Sequence, residues 1–104
     1  MEIDVILVKE NFTQNEIGDF ISQEEEREIL AKTTSINRAE WRAAGEQGLL
    51  PSMVIITPAI NYEGEEIAIV FGKRFGIYRT FCRINSDDIE LYLEEKAGVT
   101  QNEK

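Results

Sequence analysis

Only one stretch of this chain reads as helix, and that decides what the rest can be. Ser35 to Pro51 (SINRAEWRAAGEQGLLP) is flanked on both sides by short apolar or β-branched runs separated by turn residues. A parallel sheet needs a crossover connection between each pair of strands, usually helical, and one helix cannot supply them. The pattern therefore predicts a mainly β fold. It is a small antiparallel β-barrel or sandwich of about six strands, with one short helix between strands 2 and 3.

Within that stretch Asn37 is placed as N-cap, with Glu40 three residues later in capping-box position. Ile36 and Trp41 have the spacing of a hydrophobic staple, which predicts a largely buried Trp41 near the end of the barrel. Ala39, Ala43 and Ala44 favour helix; Gly45 or Gly48 ends it, and Pro51 confirms the stop. Two readings stay open: a helix that plugs one end of a barrel, or an excursion that carries functional contacts.

The strands are read from the apolar runs. Ile3–Val8 is nearly continuous apolar sequence, as in a strand covered on both faces. Asn11–Gln23 is polar around Gly18 and Asp19, and reads as a long loop with Phe12, Ile17 and Phe20 as anchors. Glu24–Glu26 reads as solvated charge, and Arg27–Ile36 as the second strand. Met53–Thr57 and Ile67–Phe71 are the third and fourth strands, and Gly72-Lys73 a tight turn. Phe75–Arg83 is the fifth, with Phe75, Ile77 and Phe81 on one face and Arg79 among them. Ile89–Glu94 alternates, with Ile89, Leu91 and Leu93 inward. One domain over residues 1–99 with a disordered tail at 100–104 is the expected organisation.

A chain of 104 residues suits one domain. No run approaches the roughly 18 apolar residues of a membrane span, and MEIDVILVKE lacks the basic start of a signal peptide. The single Cys82 excludes an internal disulfide and suits a reducing compartment. The net charge of −9 is uneven: residues 1–26 carry −7, 27–48 and 49–83 carry +1 each, and 84–104 carry −4. Tight phosphate binding needs clustered Lys and Arg, so a dedicated nucleic-acid binder is not expected. Acidic ends around a weakly basic middle suit head-to-tail pairing of copies, or simply a solvated surface.

No sequence pattern points to catalysis. With no histidine and one thiol, neither a zinc site nor a histidine-based triad can be assembled, and no cofactor or metal is expected. Gly72-Lys73-Arg74-Phe75-Gly76 is too short for a phosphate loop and lies between strands, as a hairpin does. Arg79 at an inward position either pairs with a carboxylate or opens onto an interface. The chain reads as a non-enzyme.

Several segments in order resemble one family. E-x-E-R-E-I-L-A-K-T-T-S-I-x-R-x-E-W over Glu24–Trp41, the N-Y-x-G-E turn at Asn61–Glu65, F-G-K-R-F-G-I-Y-R-T-F over Phe71–Phe81 and I-E-L-Y at Ile89–Tyr92 are similar to phage head-tail connector proteins. More narrowly, they resemble the head-closure (head-completion, stopper) proteins of siphophages, over roughly residues 3–99. The resemblance implies a virion structural protein, made in the cytoplasm of the bacterial host and located at the head-tail interface. It further implies a ring of about twelve copies under the portal and adaptor ring. The ring closes the DNA-filled head and presents a surface to the tail terminator or tail-completion protein, and DNA passes through the channel without sequence-specific binding. No membrane partner is expected.

By position, the gate of such a ring falls on Ile36–Leu50, with the Asn11–Gln23 loop (Phe12, Ile17, Phe20) as second choice. Arg38, Glu40, Trp41, Arg42 and Glu46 are the expected gate or subunit contacts, with an arginine of one copy meeting Glu40 or Glu46 of the next. The isolated chain is expected to be mostly monomeric at micromolar concentration. The other reading is a small β-barrel binding module for nucleic acid or another oligomeric ligand.

Overall fold

In the computed structural model, residues 2–14, 16–18 and 20–95 are described; the expected tail at 100–104 lies outside them. Six strands are present: β1 (Glu2–Gln14), β2 (Phe20–Thr34), β3 (Pro51–Pro58), β4 (Ile67–Val70), β5 (Lys73–Cys82) and β6 (Asp88–Glu95). Helix α1 (Arg38–Glu46) joins β2 to β3, and a 3-10 turn at Ala59–Asn61 follows β3. All pairings are antiparallel, in the order β1-β2-β3-β6-β5-β4, and β4 returns to β1 to close the barrel. Of the two architectures the sequence left open, the closed one is present.

Period-2 alternation builds the core. Val5 and Leu7 of β1, Ile29 and Ala31 of β2, Ile55 of β3, Ala68 and Val70 of β4, and Ile89, Leu91 and Leu93 of β6 point inward and are buried. Fully burying a Leu- or Ile-sized side chain contributes about 1.5–3 kcal/mol, so these positions hold the fold. Ile89, Leu91 and Leu93 face inward as their alternation predicts.

Within the expected loop at Asn11–Gln23, residues 11–14 and 20–23 are instead strand. β1 and β2 pair over thirteen residues, from Glu2↔Lys32 to Gln14↔Phe20, with the turn around Glu16–Gly18. Phe12 and Thr13 before the Gly18 turn and Phe20 and Ile21 after it are strand formers, and the polar residues between them concealed the hairpin. Beyond Val8 and Glu26 this ribbon pairs only with itself and forms an arm. Ile17 at its tip is 81% exposed; the expectations for the Phe12 and Phe20 side chains lie outside what is described.

A bulge in β5 changes which residues face the core. Ile77 pairs with Leu93 but Arg79 pairs with Tyr92, so Tyr78 is an extra residue in the ladder. An inserted residue reverses the inward parity of everything after it. Thr80 now stands opposite core residue Leu91, while Arg79 and Phe81 turn outward. Phe81, expected inward, is 46% exposed for this reason.

The β4–β5 turn is Phe71-Gly72, one residue earlier than predicted. Both have positive φ, +52° and +79°, the pattern of a two-residue type I′ turn. Gly72 adopts it without strain, but a bulky side chain there costs of order 1–3 kcal/mol. Phe71 is also 79% exposed.

The end of the barrel nearer the arm is closed by the N-Y-x-G-E turn. Arg27 reaches from β2 to Glu65, donating from Nη2 at 2.7 Å and Nε at 3.2 Å, and to the Asn61 carbonyl at 2.5 Å. The backbone N–H of Glu63 donates to the second Glu65 oxygen at 2.7 Å, and Tyr62 Oη to the Glu65 carbonyl at 2.7 Å. Glu65 is buried. Burial alone pushes its carboxyl up, but Arg27 and the backbone N–H groups outweigh that and hold it below the usual range.

Candidate functional site

Helix α1 lies outside the barrel. Asn37 Oδ1 accepts from the Glu40 N–H at 2.8 Å, an N-cap as predicted. The Glu40 side chain does not complete the capping box. It crosses to β5 and takes Arg79 at both oxygens, Nη2–Oε1 at 2.5 Å and Nε–Oε2 at 3.2 Å. Tyr78 Oη also donates to Glu40 Oε2, at 2.7 Å. At the other end Leu49 N–H bonds the Ala44 carbonyl and Gly48 N–H the Gly45 carbonyl, with Gly48 at φ +79°. That is a Schellman stop, so Gly48 rather than Gly45 ends the helix.

A layer of aromatic rings lies beneath the helix. The Arg79 guanidinium stacks on Tyr92, 3.8 Å from the ring centroid. Tyr78 meets Tyr92 edge to face at 6.2 Å. Tyr92 Oη donates to Glu90 at 2.8 Å, and Glu90 also pairs with Arg83 at 3.2 Å. The bulge at Tyr78 creates the layer by putting two consecutive residues, Tyr78 and Arg79, within reach of Glu40.

These charges are tied to one another. The hydrogen bonds from Arg79 and Tyr78 outweigh burial and hold the Glu40 carboxyl below its ordinary value. Burial and the bond to Glu40 push the Tyr78 phenol up. A general acid needs a carboxyl raised towards neutrality, and both perturbed carboxylates, Glu40 and Glu65, move the other way. Among the described residues no group of three or more Cys, Asp or Glu could hold a metal ion.

Trp41 is not core: it is 60% exposed. Glu40 and Ala44, four residues apart on one helix face, are the residues turned to the barrel, and Ala44 is buried. Trp41 lies about 100° round the helix and is left outside, so the staple spacing misled. It walls a groove of about 580 Å³ with Gly45, Leu49, Leu50, Pro51 and Glu95. Leu50 is 55% exposed there, and Glu95 is tied to Lys73 at 2.5 Å.

Of the other expected contacts, Arg38, Arg42 and Glu46 are exposed and enter no ion pair among the described residues. Glu40, expected to reach the next copy, is taken by Arg79 of its own chain. Arg79 thus takes the first of its two expected roles. Residues the sequence did not single out are Tyr78 and Tyr92 beneath α1 and Phe71 at the turn. Only Phe71 carried a signal: an aromatic directly before the glycine of a two-residue turn.

No family model matches the chain, and no curated protein matches it.

Proposed function

We propose that this chain is a structural subunit of a phage or prophage head-tail connector. It forms a ring beneath the portal and adaptor, closes the DNA-filled head and docks the tail. The observation that carries the reading is where the large exposed apolar side chains lie. Trp41, Leu50 and Phe71 lie at the barrel end that holds the α1 connection and the β4–β5 turn; Ile60 and Ile84 lie at the opposite end, beside the β5–β6 turn, each at least 55% exposed. Contiguous exposed apolar surface marks contact sites, and a subunit of a ring stacked on another ring needs one contact for its neighbours and one for the ring it meets.

The charge supports the same reading over the nucleic-acid module. Arg27, Lys73, Arg74, Arg79 and Arg83 are each paired with a carboxylate. With five of the nine described Lys and Arg side chains paired in this way, the surface holds phosphates weakly, as a channel through which DNA slides requires. The test uses particles assembled without the protein. Such heads are expected to package DNA, leak it to nuclease and stay tailless, and purified protein is expected to restore protection and tail attachment. Protected, tailed particles without the protein would refute the proposal.

A further inference from the structure

Two outer faces of the barrel carry complementary chemistry. In the closed order of strands β1 and β6 stand three positions apart in either direction, so their outer faces point opposite ways. On the β1 side, Ile6, Ile69 and Phe71 line a depression of about 490 Å³ rimmed by Glu2, Asp4 and Glu28. Those three carboxylates are exposed and enter no ion pair among the described residues. On the β6 side is the groove of Trp41 and Leu50. It lies against α1, which carries the exposed Arg38 and Arg42.

Phe71 decides how these faces are read. Its φ of +52° is one where Asn or Gly suits a type I′ turn better, and 79% of it meets solvent. Neither the turn nor the core uses the phenyl ring.

We propose that copies of this chain associate head to tail, with Phe71 of one copy seated in the Trp41–Leu50 groove of the next. Glu2, Asp4 and Glu28 of the first copy then face Arg38 and Arg42 of the second, which fixes the register. Because the faces lie on opposite sides, each added copy brings a new knob and a new groove. Such heterologous contacts close into a ring where the rotation allows. The inference deepens the connector reading and rests on it for the ring's place in a particle, though not for the contact itself.

Sedimentation velocity at low salt, from micromolar to millimolar protein, tests the contact on wild type, Phe71→Asn, Trp41→Ser and an equimolar mixture of the two variants. Asn tolerates the left-handed φ, so the Phe71→Asn chain keeps its fold, and circular dichroism checks both. Wild type is expected to form species beyond the dimer as concentration rises, weakened about tenfold or more at high salt. Each variant alone is expected to remain monomeric. The mixture is expected to give a heterodimer and nothing larger, since only one intact knob meets one intact groove.

A wild type that stays monomeric throughout, or stops at the dimer, overturns the head-to-tail contact. Variants that assemble as wild type does also overturn it, while leaving the connector reading standing. Loss in both variants with the heterodimer in the mixture, but no effect of the protein on packaged heads, upholds the contact and refutes head closure.

Discussion

Replacing Glu65 by Gln tests whether the buried charge under the N-Y-x-G-E turn holds that end of the barrel. Glu65 accepts three hydrogen bonds, two from Arg27 at one oxygen and one from the Glu63 N–H at the other. Gln has the same shape, but one of its terminal atoms is a donor. Whichever way the amide turns, an N–H meets either the guanidinium or the Glu63 N–H. A lost hydrogen bond to a charged group costs about 1.5–3 kcal/mol, and an unsatisfied buried donor about 1–3 more. Arg27 is 37% exposed, so water recovers part of this, leaving about 2–4 kcal/mol. For a domain of this size that lowers Tm by roughly 10–25 °C. Urea unfolding followed by circular dichroism measures it, with an unchanged m-value.

The pH dependence has a defined sign. The folded carboxyl of Glu65 is depressed, whereas an unfolded one titrates near about 4.3. Its contribution is therefore complete above the unfolded value and is lost as pH falls through the folded one. Wild type and Glu65→Gln should differ fully at neutral pH and converge in acid. A difference below about 0.5 kcal/mol at neutral pH, or one that is the same in acid, refutes the reasoning.

Trp41→Ala should leave urea unfolding within about 1 kcal/mol of wild type, because the ring is outside the core; a loss of about 3–5 kcal/mol would return it to the core. Arg79→Ala should loosen α1, seen as faster amide exchange over Arg38–Glu46 while the exchange of Leu91 and Leu93 is unchanged; unchanged protection of α1 would show that the Arg79–Glu40 pair does not hold it. Leu91→Ala should cost about 2–5 kcal/mol by the same unfolding assay. Replacing residues 38–47 by a short Gly/Ser turn should leave a folded barrel that, without Trp41, Arg38 and Arg42, no longer closes filled heads, which then leak DNA to nuclease. Full protection would move the gate to the β1–β2 arm.

The sequence exposed those features that local chemistry sets. Alternation at Ile89, Leu91 and Leu93 and the cap at Asn37 are decided within a few residues, and both are found in the structure. What escaped depends on partners distant in sequence. Nothing near Tyr78 announces a bulge, because it arises from the register between β5 and β6, and it alone turns Arg79 outward to Glu40. Trp41 was misplaced because staple spacing ignores which helix face a distant arginine will hold. The arm was hidden because its polar residues resemble those of a loop, while its stability comes from cross-strand pairing.

The β1–β2 ribbon is joined to the rest of the barrel by few ladder pairs. Three connect β2 to β3 and four connect β1 to β4, against thirteen within the ribbon. Its attachment rests instead on Val5, Leu7, Ile29 and Ala31 in the core. Apolar burial weakens on cooling, whereas the ribbon's own ladder does not depend on it in the same way. The barrel is thus built like a cask with one broad stave held by fit rather than by nails. That stave should loosen first in the cold, with the amides of Lys32–Thr34 and Ile67–Val70 gaining exchange together while those inside the ribbon keep their protection.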